Sequence, residues 1–352
     1  MCEREATIIG EPHEACLAPP TEPATYKHQP LSCSLDEIRL LKLRKEEHGP
    51  VHCDVEVFPL GQAPEYIALS YRWGPPSPSH DIFIGDQRLK IRDILNSCLL
   101  ELREDVDTWL WIDQICIAQA DTAERNHQVE MMSRIYGTGA SVMIWLGDVP
   151  LTPPGEVDRF NDQDLDATSI TVLLNNIYFT RLWIVQEILL AKSVKIRLNG
   201  NRCIEWSRMY YPYITAYPSL VIPIASTCLL NSTMYAQGKG KTLTWPKCID
   251  GFSANACEDL RDKVYGMMGV VSEEDKFAVD YQKSVLEVYT DVLCVISDPT
   301  IPDLSVYRRM LGFQMGIELS LIESFAHIPG YRLNRDRDWE KADTDTFAVL
   351  RR

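Results

Sequence analysis

Three short, almost wholly apolar runs constrain the fold of this chain more than any other feature. They are Tyr66-Ile67-Ala68-Leu69-Ser70-Tyr71, Trp109-Leu110-Trp111-Ile112 and Val142-Met143-Ile144-Trp145-Leu146. Each is too short for a helix, and none alternates as a half-buried strand does. A strand covered on both faces reads this way. Helical spacing lies between them. Leu95, Leu99 and Leu102 share a face of a segment that Asp93 is placed to cap, running through Arg103. Val129, Met132, Ile135 and Tyr136 recur behind Asp121 and Glu124, which have the form of a capping box. Buried strands alternating with amphipathic helices imply βαβ units, hence an α/β fold with a mostly parallel sheet and helices on both faces. Val194–Leu198 reads as a further strand. Ile38–Leu43 and Val55–Phe58 read as an N-terminal strand pair around the charged turn Lys45–Pro50.

The remainder divides by texture. Residues 1–32 are rich in Pro, Glu and Thr without a period and read as a flexible N-terminal arm. The α/β pattern occupies 33–203. Residues 204–352 read as a mainly helical extension packed on it, with helices near Leu260–Val270 and Val285–Ile296. The segment Asp148–Asp166, with six acids and one Arg, reads as an exposed excursion. A net charge of −15 with no basic stripe argues against nucleic acid and against an anionic membrane surface as partners. The eleven Cys show no C-x-x-C pair and no zinc spacing, so no metal site is expected. Met1–Gly10 has no apolar core of a secretory signal, and Ser219–Leu230 is too short to span a bilayer. Reduced thiols and a cytoplasmic location are the corresponding expectation.

One helix carries a chemical anomaly. Leu182–Ala191 holds eight apolar side chains and two polar ones, one of them Glu187. Such a segment is a buried helix. An ionised acid there must be paired, neutralised or lining a cavity. Either Glu187 pairs with Arg181 or another core cation, or it is a functional carboxylate beside Trp183, four residues earlier on the same helical face.

Ligands of open α/β sheets bind at the carboxyl ends of the strands. The first strand ends in Ser70-Tyr71-Arg72-Trp73-Gly74. Arg72 has the fork that binds phosphate, and Tyr71 and Trp73 have faces that stack on a ring; a structural turn plugged by aromatics is the alternative. Asp113, at the second strand end, fits a ribose hydroxyl or a helix start. Cys116 with His127 would make a nucleophile and base, but its apolar setting, Ile115-Cys116-Ile117, fits a buried inert thiol better. Gly238–Thr242 imitates a phosphate loop but lacks the leading strand and the first Gly, where Tyr235 stands.

Taken together these segments resemble the heterokaryon incompatibility (HET) domain of filamentous fungi. Tyr66–Gly74 resembles its first block. Trp111–Gln119, Glu124–Val129, Met132, Ile135-Tyr136 and Ile144–Gly147 resemble the second, and Arg181–Glu187 the third. Asp259–Gly266 and Asp280-Tyr281 resemble the segment that trails it. Ala118 departs from the family's Cys-Ile-Asn-Gln, removing a polar group near the strand end. The resemblance implies a flavodoxin-like sheet, distantly similar to TIR domains. In TIR enzymes a Trp and a Glu four apart flank the active site, and the Glu is needed to cleave NAD.

What the resemblance implies here is Glu187 as the catalytic carboxylate. Ser70, Tyr71, Arg72, Trp73, Asp113 and Trp183 would be substrate-binding residues. NAD or a related nucleotide would be the substrate, with no resident cofactor. A homo-oligomer would form on activation, a separate sensor protein would act upstream, and the output would be programmed cell death after non-self recognition. A non-catalytic, self-associating adaptor is the alternative on the same fold.

Overall fold

The computed structural model describes residues 22–46, 48–147, 167–198, 202–210, 213–214, 222–239, 242–296 and 304–326. The segment 148–166 and the first two-thirds of the N-terminal arm lie outside these. Among the described residues the strands form one nine-stranded sheet. The three apolar runs become β3 (Tyr66–Tyr71), β6 (Trp109–Trp111) and β7 (Ser141–Trp145), and β8 is Val194–Leu198. β6, β3, β7 and β8 lie side by side and all three pairings are parallel. In chain order the parallel strands therefore run 2-1-3-4, the flavodoxin-like winding. That winding reverses direction between β3 and β7, which places the ligand crevice outside their carboxyl ends.

Antiparallel pairs flank this centre. β1 (Glu37–Leu43) joins β2 (His52–Pro59) on one side and β6 on the other. The strand pair expected from the sequence is thus woven into the sheet. A hairpin not expected from the sequence, β4 (Ser79–Ile84) and β5 (Gln87–Arg92), extends that edge. Its two-residue turn is made by Gly85 at φ +57° and Asp86. Its outer strand holds the end of the N-terminal arm: Tyr26 donates its amide to the Arg88 carbonyl and receives support from Arg88 N–H to Ala24 O, both at 2.8 Å. The opposite edge is β9 (Arg202–Glu205), antiparallel to β8.

Side chains leave alternate faces of each strand, and two cores result. Leu69, Tyr71, Leu110, Ile112, Met143 and Trp145 pack with α1 (Asp93–Asp105) through Leu95, Leu99 and Leu102. Ala68, Trp111, Val142, Ile144 and Ile196 face α3 (Thr122–Thr138), α5 (Ile184–Leu189) and the extension. α2 (Asp113–Cys116) and α4 (Ala167–Leu174) complete the α/β part. Two capping expectations are corrected. Asp93 is the first helical residue rather than the cap, and its carboxylate bonds His80 Nε2 at 2.7 Å. Asp121 does cap α3, accepting from the amides of Ala123 and Glu124, but Glu124 does not reach back. It is drawn away by Arg39, 0% exposed on β1, whose guanidinium contacts it at 2.6 and 2.9 Å. Glu124 also accepts the Ala118 amide at 2.7 Å, so the backbone of Ala118 makes a polar contact that its side chain does not offer.

The extension is helical, as expected: α6 (Ile224–Lys239), α7 (Trp245–Phe252), α8 (Asp262–Met268), α9 (Val285–Val295), α10 (Ser305–Gln314) and α11 (Leu319–Ala326). Helix α6 runs through Lys239, so a helix rather than a strand leads into the glycine–lysine stretch; residues 240–241 are outside the described ones. No helix among the described residues is long and apolar enough to cross a membrane.

Candidate functional site

The site grows from the crossing of β3 with α5. Ser70 is the penultimate residue of β3 and, by alternation, points to the face where α5 packs. α5 is shorter than the sequence suggests; it begins after Trp183, and every residue from Ile184 to Leu189 is buried. Glu187 is 1% exposed. Its Oε2 accepts the Ser70 hydroxyl. Ser70 Oγ also meets the Tyr178 hydroxyl. A serine has one proton to give. With Glu187 ionised the order is therefore Tyr178 O–H to Ser70 Oγ, then Ser70 O–H to Glu187.

Arg181 Nη2 stands 3.9 Å from Glu187 Oε1, a loose ion pair rather than a bidentate clasp. Its other terminal nitrogen, Nη1, is buried with no hydrogen-bond partner among the described residues. Burial works against the Arg181 charge, but Glu187, Tyr178 and Asp113 nearby outweigh it and keep the guanidinium protonated. Burial pushes the Glu187 carboxyl up to about 7; Arg181 and the Ser70 hydrogen bond pull it down, and the Asp113 charge adds to the rise. Burial likewise pushes up the hydroxyl of Tyr178.

The crevice side is lined by the other strand ends. Asp113, half-buried at the start of α2, accepts the indole N–H of Trp73 at 2.8 Å and the Gln114 amide at 2.7 Å. Burial raises its carboxyl, against the opposing pull of Arg181 and of those hydrogen bonds. Arg92 lies over the Trp73 ring at 5.0 Å and donates to Gly74 O at 2.6 Å. Gly74 has φ +70°, and a Cβ there would sit 2.6 Å from Ile94 Cδ1, so the turn requires glycine.

The candidate residues therefore separate. Ser70 and Glu187 touch. Trp73 and Asp113 touch each other, and Asp113 acts on Glu187 only through its field. Tyr71 points to the face opposite Ser70, where its hydroxyl donates to Gln114 at 3.2 Å and also interacts with Asp113, so it joins the Trp73–Asp113 group. Arg72 is exposed at the strand end. Trp183 is part-buried, with its indole N–H on Asp262 at 3.1 Å. The polar group the sequence left without a role is Tyr178: it follows Asn176 on an irregular turn, and nothing in its spacing marks it. Arg181, named only as a pairing cation, is the positive charge nearest the acid. A cavity of about 330 Å³, between α6 and α7 and lined by Cys228, Asn231, Lys247 and Asp250, shares no residue with this cluster. Cys116 is 0% exposed with its thiol pushed up to about 12 by burial, as an inert thiol would be.

Comparison with known proteins shows what these residues are similar to. Residues 66–187 match the model of the family described as Heterokaryon incompatibility protein (HET), a span that opens on the first residue of β3 and closes on Glu187. The chain is similar to heterokaryon incompatibility protein 6, OR allele, of Neurospora crassa, at 25% identity over 356 positions covering 76% of this chain and 52% of that protein. It is also similar to vegetative incompatibility protein HET-E-1 of Podospora anserina, at 26% identity over 157 positions covering 44% of this chain and 11% of that protein. The chain thus spans about half the length of the first relative. No solved structure matches it.

Proposed function

We propose, from the match of residues 66–187 to the HET family, that this chain is a HET-domain effector of non-self recognition that cleaves NAD at the nicotinamide–ribose bond, with Glu187 as the catalytic carboxylate. The observation that carries this reading is a buried acid held by the Ser70 hydroxyl at the switch point of a parallel sheet, four residues after Trp183. The relatives' names speak of heterokaryon and vegetative incompatibility, and death of the mismatched cell is the output proposed for this chain.

The chemistry suits one carboxylate. The bond from the anomeric carbon to the pyridinium nitrogen breaks, and nicotinamide leaves neutral with the electron pair, so its departure needs no general acid. Positive charge grows on the ribose as an oxocarbenium-like centre. Water adds to the anomeric carbon and releases a proton to solvent. Ionised Glu187 stabilises the charge as it develops, an interaction strongest in the transition state. Ser70 and Tyr178 hold the carboxylate in place. Arg181 offers its unpartnered Nη1 to a phosphate or hydroxyl of the substrate. Trp73 offers a ring face and Asp113 an acceptor. Glu187 is covered in the isolated chain, so the reading includes an opening step on assembly.

The same cover favours a second reading, a self-associating adaptor in which Glu187 is a structural acid. Incubation of concentrated, assembled protein with NAD, followed by chromatography for nicotinamide, separates the two. Catalysis by the ionised form predicts a rate that rises through about pH 7, because that is where Glu187 loses its proton. No nicotinamide at any pH supports the adaptor.

A further inference from the structure

Behind the Glu187 helix stands a second layer that lies outside residues 66–187. Helix α8 approaches the Leu182–Gln186 turn closely because it presents glycines there. A Cβ on Gly266 would lie 3.1 Å from Leu182 Cγ and 3.8 Å from Trp183 Cδ2, and one on Gly269 would lie 2.2 Å from Gln186 Oε1. The first residue of α8, Asp262, is 7% exposed and spends both carboxylate oxygens on this contact. Oδ2 accepts the Trp183 indole N–H at 3.1 Å, and Oδ1 accepts the Tyr281 hydroxyl at 2.6 Å.

Tyr281 is itself fixed from several sides. Arg125 lies over its ring at 4.4 Å and Arg261 at 5.2 Å. Its amide donates to Asn126 Oδ1 at 3.3 Å, and its carbonyl accepts from Arg261 Nη1 at 2.5 Å. Trp183 closes the other end of the chain of contacts. It is the residue from which α5 starts, and its carbonyl accepts the Glu187 amide at 3.4 Å. The indole of Trp183 therefore has its polar end tied to α8 while its backbone starts the turn that carries Glu187.

We infer that Asp262 is a positioning residue of the candidate site, fixing the Trp183 indole beside the Glu187 helix, and that the segment from Asp259 to Tyr281 completes a site the 66–187 span holds only in part. The inference rests on the proposed function only in taking a dinucleotide as the molecule that meets Trp183. Asp262 does not touch that molecule; it acts through the ring. An aspartate suits the task because one carboxylate accepts from two donors at once, an indole N–H and a phenol, whereas an asparagine has a single acceptor oxygen and an alanine none.

The test uses the full chain labelled with ¹⁵N in its eight Trp, which keeps the indole N–H region sparse. Trp183→Phe identifies the Trp183 resonance by its disappearance. In Asp262→Ala that resonance should move towards the position of a solvent-bonded indole, and Asp262→Asn, which keeps an acceptor, should restore part of the shift. NAD affinity, read by titration of the same samples, should fall roughly tenfold in Asp262→Ala, as for loss of a hydrogen bond to a charged group. Adding Asp262→Ala to Trp183→Phe should then change little. An unmoved Trp183 resonance in folded Asp262→Ala, or one that Asp262→Asn moves as far as Asp262→Ala does, overturns the inference, as do fully additive losses of affinity. Wild-type protein that neither binds nor cleaves NAD would remove the proposed function and leave the resonance to decide the Asp262–Trp183 contact alone.

Discussion

Replacing Glu187 by Gln should change how stability depends on pH, and the structure sets the size of the change. Glu187 has a folded-state value of about 7 against an ordinary 4.5, because burial disfavours its charge. An acid whose folded value is raised binds its proton more tightly in the native state. Stability is then highest at low pH and is lost as pH rises through the window between the two values, levelling off above the folded one. At roughly 1.4 kcal/mol for each pH unit by which the value moves, the full penalty is about 3 kcal/mol, most of which falls between about pH 5 and pH 8. Glutamine keeps the shape and can still accept from Ser70, but it does not titrate. The wild type should therefore lose roughly 2–3 kcal/mol more than Glu187→Gln over that range, about 3 °C of melting temperature for a chain this long. Asp262, raised to about 6 by burial, contributes a similar slope to both proteins and cancels in the difference. Urea unfolding of the two proteins at several pH values reads the quantity directly. Parallel curves would refute the reasoning, for they would mean that Glu187 stays ionised throughout and that its surroundings solvate the charge.

Other perturbations follow from the same contacts. Ser70→Ala removes a hydrogen bond that lowers the Glu187 carboxyl, so any NAD-cleavage profile should shift to higher pH; a shift the other way would contradict the assigned donor. Arg39→Met leaves Glu124 buried and uncompensated and should cost about 3–5 kcal/mol in denaturant unfolding. Burial opposes the Glu124 charge, but Arg39 outweighs it and holds the carboxyl below its ordinary value; its contribution is present above 4.5 and lost as pH falls, and Arg39→Met should blunt that acid loss. Gly269→Ala drives a methyl into Gln186 and Ser133 and should cost roughly 1–3 kcal/mol by calorimetry; an unchanged melting temperature would show that α8 gives way easily.

The legible part of the fold was the part governed by local pattern. β3, β6 and β7 announce themselves because strands covered on both faces must be apolar throughout, and β8 because Val194, Ile196 and Leu198 alternate with Lys195 and Arg197. The hairpin β4–β5 did not, since Ser79–Ile84 and Gln87–Arg92 lie at an edge, mix charge with apolar residues, and follow a proline-rich turn. Helices α6, α7, α10 and α11 were missed because their apolar residues answer to partners distant in the chain. At the site, Glu187 stood out as an acid in an apolar helix, and its nearest cation, Arg181, was at hand in the sequence. Tyr178 carried no signal, and Asp262 stood out only as part of the trailing segment Asp259–Gly266, because the role of each depends on contacts made 108 and 79 residues away, to Ser70 and Trp183. Arg72 and Tyr71 looked equivalent to Ser70 in the strand-end motif. Strand alternation separates them, sending Tyr71 to the other face and leaving Arg72 exposed.

Nicotinamide release by assembled wild-type protein and by Glu187→Gln, measured on preparations matched for folding, decides whether Glu187 is the catalytic carboxylate. Catalysis by Glu187 predicts release by the wild type and a fall on the order of 10²–10³ in the variant, the usual loss when a contact made mainly in the transition state is removed. Undiminished release by a well-folded Glu187→Gln protein, or none from the assembled wild type, would contradict it.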